Sequence, residues 1–439
     1  MRMPKTPPSV QEKFRELGNR DVDPVSYIKA AARHNSGYPH WDTLRHKVEE
    51  GLEPELVWAF MKMMRENNFR YVSVDNIEIK YSVTEEFQKI IHDIDIRVPN
   101  GLSPEKGLNE KEMRMYSISS IMEEAIASSQ MEGASTTRQA AKRMLRENRR
   151  PKDRSEWMIF NNYEAMRLIK GSKDRDLTSD LILEIHKEIT KNTMEDHDFE
   201  GRYRNTDDIV VSDLYSGDVY HTPIDCGDIS RAIDALCEYV NDDGTFTHPL
   251  IKGTVIHYLI GYIHPFTDGN GRLARSLFYW YLLKKGYRIV EFLSISRVIK
   301  KNKSKYDWSY LLSETDDNDI TYFIKFNLQK VQEALDDFLG YIETERKERQ
   351  EFESAVSERY CLNMRQKMMI ADAMKSGEPF SIQEMQSKFQ VTYQTARTDV
   401  MKLEEVGMVK KAGKRSNQIL YSISEEKKKS SKDGNRGPA

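Results

Sequence analysis

Along most of the chain apolar residues recur every three to four positions, the spacing of a buried helical face, and only a few short runs alternate as strands do. Residues 1–20 are polar with three prolines and are expected to form a loosely held arm before a short helix. Residues 24–68 predict helices broken near Gly37 and Pro39, with Trp41, Leu44, Leu56, Val57, Phe60 and Met61 as core. Phe69 to Val74 and Ile77 to Val83 alternate around Asp75-Asn76, a hairpin signal, and Thr84 caps a helix reaching about Ile94. A helix from Lys111 to about Met131 stops at Glu132-Gly133, and another begins near Ser135. Two more helices are expected over 155–194, then two β-rich runs, Ile209-Val210-Val211 and Val219-Tyr220, around Ser216-Gly217. Residues 228–263 predict two helices. Between Asp319 and Gln350 the apolar positions Ile324, Leu328, Val331, Leu335, Phe338 and Ile342 fall at 4-3-4-3-4 spacing. That stripe suits either a helix sealing a bundle or a seam between two copies of the chain, hence a homo-oligomer.

Composition narrows the class. A chain of 439 residues with 38% hydrophobic and 31% charged positions has room for two or three cores. A net charge of −3 excludes a chain built as a whole to coat nucleic acid and leaves local basic patches open. The three cysteines, Cys226, Cys237 and Cys361, show no zinc-like spacing and form an odd set, which points away from a disulfide framework and toward a reducing cytoplasm. No apolar run has the length of a membrane span, and the start of the sequence lacks a secretory core, so no membrane partner is expected.

The densest chemistry is His264-Pro-Phe-Thr-Asp268-Gly-Asn270-Gly-Arg272-Leu-Ala-Arg275, a polar turn between two apolar helices. Gly269 and Gly271 permit bends closed to other residues, and the following helix presents its free N–H groups to the turn. Arg272 and Arg275, three apart, share a helical face and suit phosphate oxygens. Asp268 offers the single hard carboxylate with which magnesium is often held beside substrate phosphates. His264 is the group able to take a proton near neutral pH. The parts suit nucleotide transfer onto a hydroxyl. The other histidines compete poorly. His34, His40 and His46 lack a completing metal ligand, His186 and His257 lie in apolar helices, and His248 precedes a helix at Pro249. His221, beside the second β-rich run, is the runner-up.

His264-x-Phe266-x-Asp268-Gly-Asn270-Gly-Arg272-x-x-Arg275 resembles the signature of the Fic family at every fixed position. The resemblance implies a protein adenylyltransferase that moves AMP from ATP to a Ser, Thr or Tyr hydroxyl of a target protein. In it His264 is the base, Asp268 binds Mg2+, Gly269, Asn270 and Gly271 hold the α- and β-phosphates, and Arg272 and Arg275 hold the outer ones. Upstream, Ser128-x-x-x-Glu132-Gly133 resembles the inhibitory helix of one Fic class, which implies that Glu132 pairs with Arg275 and takes the place of the γ-phosphate. The runs Ile209-Val210-Val211 and Val219-Tyr220 resemble the Fic flap, to which a target segment adds as a strand; Thr222-Pro223 departs from the Pro-Pro common there.

From Met364 the helices Met364–Lys375, Ile382–Phe389 and Thr392–Val406 and the strands Val409–Lys411 and Gln418–Ser422 resemble a winged helix-turn-helix. Tyr393, Gln394, Thr395, Arg397 and Thr398 would face outward, and Lys410, Lys411, Lys414 and Arg415 would form a basic wing, suited either to DNA or to protein docking. The reading is therefore a mainly α protein. It comprises an N-terminal helical region with a hairpin (1–98), a Fic-type bundle with a β-hairpin flap (99–345) including the inhibitory helix 111–133, a connector helix (346–363), a winged helix (364–424) and a disordered lysine-rich tail (425–439). Two rival outputs remain. One is a Fic enzyme using another donor or removing AMP. The other is a DNA-binding regulator whose Fic unit senses nucleotide or modifies itself.

Overall fold

The computed structural model of the protein describes residues 2–17, 23–101, 110–212, 217–356, 362–376, 378–415 and 418–424; Cys361, Ser216 and the tail from Glu425 lie outside them. The chain begins with α1 (Val10–Leu17), α2 (Pro24–Asn35), α3 (Trp41–Leu44) and α4 (Pro54–Glu66). Proline occupies the first turn of both α2 and α4, where its missing N–H costs nothing, and the Asp23 carboxylate caps α2 by accepting the Val25 N–H. Tyr27, Ala31, Leu56, Val57 and Phe60 join in a small core of their own. This unit is tied to the rest through buried charge. Lys62 donates to Asp316 at 2.9 Å, and Arg65 bonds the Tyr322 hydroxyl at 2.9 Å while lying 3.7 Å over the Tyr38 ring.

The hairpin forms as β1 (Phe69–Val74) and β2 (Ile77–Ser82), with Val74 opposite Ile77 so that Asp75-Asn76 makes the two-residue turn. Its inward residues Val72, Val74, Ile77 and Ile79 enter the main core, as does Ile94 of α5 (Glu85–Gly101). The boundary expected at 98 falls within α5, and the apolar face of the hairpin is covered by the main bundle. The bundle continues with α6 (Glu110–Met131), α7 (Arg138–Arg146), α8 (Arg154–Gly171) and α9 (Ser179–Thr190). Next come strands β3 (Val211–Ser212) and β4 (Val219–His221), and then α10 (Ile229–Asn241), α11 (Pro249–Ile263) and α12 (Asn270–Lys284). Helix α11 is apolar nearly all round, and almost every residue of α11 and α12 is buried, which puts this antiparallel pair at the centre. Outside lie α13 (Ile295–Lys301), α14 (Lys303–Thr315) and α15 (Thr321–Val356). Ile324, Leu328, Val331, Leu335, Phe338 and Ile342 of α15 are all buried against the bundle, so the stripe seals it. The aromatics of α14 likewise pack inward. Tyr310 lies 4.3 Å from Phe323, and the Tyr306 hydroxyl meets His257 Nε2 at 2.8 Å.

The C-terminal unit has α16 (Met364–Ser376), β5 (Phe380–Ser381), α17 (Ile382–Phe389), α18 (Tyr393–Glu405), β6 (Val409–Arg415) and β7 (Gln418–Ile423), with strand order β5-β7-β6. Strand β5 was missed by the pattern, since two residues are too few to alternate. Its Ser381 opens α17 with a capping box closed by Glu384. Met369, Ile370, Val400, Leu403 and Tyr421 form a separate core. Arg415 reaches both Glu384 and, on the main bundle, Glu147.

Candidate active site

Helix α11 ends at His264, which adopts the left-handed conformation (φ 49°, ψ 58°) with its N–H on the Ile260 carbonyl. For a residue with a Cβ this geometry costs about 1–2 kcal/mol, and the surrounding turn has to hold it. His264 Nδ1 lies 3.3 Å from the Gly261 carbonyl. A carbonyl can only accept, so Nδ1 carries the proton and Nε2 keeps its lone pair. Burial lowers the pKa of His264 to about 4, so the ring is neutral at physiological pH.

Several residues hold that turn. Arg204, itself buried, donates Nε to the His264 carbonyl at 3.0 Å, and its own N–H meets the Pro265 carbonyl at 3.0 Å. His186 lies under the turn. Its ring stacks on Phe266 at 3.5 Å, Nε2–H donates to the Asp268 carbonyl at 2.9 Å, and Nδ1 accepts the Gly201 N–H at 3.1 Å. The sequence placed His186 among core residues, and buried it is; its role under the site was hidden because its partners lie 15 to 82 positions away. The Asn270 side chain accepts from the Phe266 N–H at 3.0 Å and donates to the Phe266 carbonyl at 2.7 Å. The turn itself therefore takes up the Asn270 amide, which leaves the backbone of Asn270 for a ligand.

Gly269 (φ 88°) begins α12 without a side-chain cap, so the first-turn N–H groups face the turn, where an anion is favoured. A Cβ on Gly271 would collide with Glu132 Oε1, so any other residue there would fill the cradle. Arg272 is fully buried, with Nη1 on the Ile189 carbonyl at 3.0 Å and Nη2 3.4 Å from Asp268 Oδ1. Its Nε, like the Thr267 hydroxyl, is buried without a partner, as an oxygen-rich ligand would remedy. Asp268 takes the Gly269 N–H at 2.6 Å on Oδ1 and faces the exposed Arg154 guanidinium at 3.1 Å with Oδ2. No group of three or more His, Cys, Asp or Glu side chains placed to hold a metal ion occurs among the described residues. A magnesium ion would thus have one protein carboxylate, displaceable from Arg154, and would take the rest of its shell from phosphate and water, a donor set that fits this ion.

The second half of the site comes from α6. Arg275 donates Nε to Ser128 Oγ at 2.9 Å, and its Nη2 donates to the Ser128 carbonyl at 3.1 Å and to Glu132 Oε1 at 2.8 Å. Burial would raise the pKa of Glu132, but the Arg275 guanidinium outweighs that and lowers it, so the carboxylate is charged. Gly133, with φ 94°, ends the helix just beyond.

The first strand of the hairpin starts two residues later than expected and the second runs one residue further. Its pairing covers Val211 with His221 and Ser212 with Val219, with a bulge between, so Ile209 and Val210 precede the strand while Val219 and Tyr220 lie in β4. Val210 and Val219 are exposed. His221 anchors this hairpin beside His264. Nε2–H donates to the Tyr262 carbonyl at 2.7 Å and Nδ1–H to Glu314 at 2.8 Å. Burial opposes a charge on this ring, but the Glu314 carboxylate prevails and raises its pKa.

Residues 176–282, from the approach to α9 through most of α12, match the Fic/DOC family model. Over that segment the chain is similar to the family. It is 30% identical over 182 residues to the protein adenylyltransferase Fic of Nematostella vectensis, covering 40% of this chain and 38% of the relative. To the protein of the same name in Drosophila melanogaster it is 29% identical over 178 residues, covering 40% and 32%. The chain thus spans well under half the length of these relatives. A Fic family protein from Desulfovibrio desulfuricans superposes over 82% of this chain and 99% of the other, with TM-score 0.51 at 17% identity, a likeness of fold. Ser128 and Glu132 lie upstream of the matched Fic segment, and the packing of α6 on α12 brings them to Arg275.

Proposed function

We propose that the protein transfers AMP from ATP to a Ser, Thr or Tyr hydroxyl of a target protein and that Glu132 restrains this reaction. The observation that carries the reading is a neutral His264 at the mouth of an anion-binding helix start whose outer arginine is already taken by a carboxylate. In the reaction Nε2 of His264 accepts the hydroxyl proton as that oxygen bonds to the α-phosphorus. The bond from the α-phosphorus to the oxygen bridging to the β-phosphate breaks, and pyrophosphate leaves. The N–H groups of Asn270, Gly271 and Arg272 hold the non-transferred charge in place without reorganising. Asp268 would hold magnesium, which when bound neutralises phosphate charge. The exposed edge at Val219 and Tyr220 would align an extended target segment in front of His264. With Glu132 on Arg275 the γ-phosphate loses its guanidinium, so ATP binds unproductively. A guanidinium engaged by a carboxylate cannot also grip a phosphate.

The test is intact-mass analysis of parent, Glu132→Gly and Glu132→Gly/His264→Ala proteins after incubation with ATP and magnesium, with and without a cell extract as target source. An AMP-sized gain confined to the single mutant, on itself or on an extract protein, supports the reading. Equal gain in the double mutant would remove His264 from the role of base.

A second reading concerns residues 364–424 as a winged helix that binds nucleic acid. Tyr393, Gln394, Arg397 and Thr398 are exposed on α18 and Lys410, Lys411 and Lys414 on β6, which supports it. Arg415 is instead drawn to Glu147 and Glu384.

A further inference from the structure

Glu132 and Gly133 form the tip of a helical hairpin whose arms are α6 and α7. The arms are clipped together by charge. Glu123 of α6 receives Arg138 Nε at 2.8 and 3.0 Å and also binds Lys142 of α7. The Glu123 carboxylate is largely buried in this clip. Glu132, just past the end of α6, lies nine positions beyond Glu123, roughly 14 Å at 1.5 Å per residue, so clip and tip belong to one short arm.

That clip lies in the wall of a cavity of about 1120 Å³, bounded by α6, α7, α8, α13 and α15 and roofed by α16 and α17 of the C-terminal unit. Arginine and lysine outnumber aspartate and glutamate in its lining by two to one. Arg146 of α7 and Lys367 of α16 both line it, and among the described residues neither is paired with a carboxylate. Phe292 and Phe338, stacked at 5.5 Å, add an apolar face. The size is at the upper end for small-molecule sites, and the surplus of cations beside stacked rings suits an anion carrying a ring. Arg415 on Glu147 fastens the roof to the end of α7, so elements on both sides of the hairpin border the cavity.

We infer that this cavity binds a phosphate-bearing small molecule, and that the ligand draws Arg138 and Lys142 from Glu123 and thereby loosens the hairpin that carries Glu132. The coupling rests on the reading of Glu132 as a restraint, whereas the binding does not. Phosphate engages both cations in place of one carboxylate, and Glu123, left without them, swings toward solvent. The two arms then lose their cross-link, and the tip leaves Arg275 more readily.

Calorimetric titration of the full chain with inorganic triphosphate and with ADP tests the site, since both ligands carry phosphate and only one carries a ring. Two classes of site are expected in the parent, the Fic cradle and this cavity. Arg146→Glu/Lys367→Glu should weaken one class at least tenfold and leave the other; the alanine pair, safer for folding, should weaken the same class several-fold. Parent and variant isotherms that superimpose for both ligands overturn the site. Tighter binding of ADP than of triphosphate at the weakened class identifies a nucleotide-like ligand, and the reverse a free polyphosphate. Hydrogen exchange of amides 132–138 tests the coupling. Ligand should speed it in the parent and not in the cavity variant, and Glu123→Gln should speed it without ligand. Unchanged exchange with the cavity filled overturns the coupling. Neither readout needs AMP transfer, so an enzyme that transfers nothing would sink the catalytic reading and leave these results to stand on their own.

Discussion

Glutamine at position 132 keeps the side chain's length and hydrogen-bonding reach while removing the charge that holds Arg275. At the 2.8 Å separation seen here, two unit charges at an effective dielectric of about 20 attract by roughly 6 kcal/mol before solvation is counted. Glu132 is 32% exposed, so solvent screens part of that attraction, and burying Arg275 opposes more of it. The net hold is about 1–3 kcal/mol. Ser128 still accepts from Arg275 in the variant, so the guanidinium stays aimed at the cradle and only the competitor is weakened. Transfer by Glu132→Gln should therefore exceed that of the parent by about 5- to 140-fold, at 1.4 kcal/mol per tenfold, and Glu132→Gly should reach at least as far. The assay is the initial rate of AMP incorporation at saturating ATP, read by intact mass, with nucleotide affinity measured separately. A Glu132→Gln protein that binds ATP yet transfers no faster than the parent refutes the reasoning, because the ion pair would then have no bearing on the productive pose.

Other consequences follow from the same geometry. His264 stays neutral down to about pH 4, so in Glu132→Gly the acid limb of the rate profile should lie near that value and well below the ordinary histidine range, activity being lost as pH falls and Nε2 gains a proton; a limb near 6.5 would mean that the ring is solvated in the working enzyme. His186→Ala removes the stack on Phe266 and leaves the Gly201 N–H and Asp268 carbonyl unpaired, for a loss of about 2–4 kcal/mol in thermal or urea unfolding. The same change in a Glu132→Gly background should cut transfer at temperatures where the fold persists, since the turn beside His264 slackens; full activity would make His186 a packing residue alone. If residues 364–424 grip DNA, Lys410→Ala/Lys414→Ala should weaken binding uniformly across sequences and reduce the log–log salt slope by about one for each phosphate no longer neutralised. An unchanged slope would turn attention to protein docking at α18.

The twelve residues from His264 to Arg275 carry their chemistry in one turn between two helices, and a turn that short puts base, carboxylate, glycines and arginines together whatever surrounds it. For the same reason the periodicities of α11, α12 and α15 could be read directly, since burial on all sides, or on one stripe, is written in composition at each position. What the sequence could not reveal is which faces meet. Arg275 and Ser128 are 147 positions apart, and a helical pattern tells that α6 has a buried side without telling that Arg275 lies across from it; only the resemblance of Ser128-x-x-x-Glu132-Gly133 to an inhibitory helix implied that meeting. Nor could it show that Asn270 turns back onto Phe266, that His186 and Arg204 brace the turn, or that Glu123 clips α6 to α7 beside a chamber roofed by the C-terminal unit. Those arrangements depend on where packed helices come to rest, and packing is decided by the fit of whole faces rather than by the residues of any one segment.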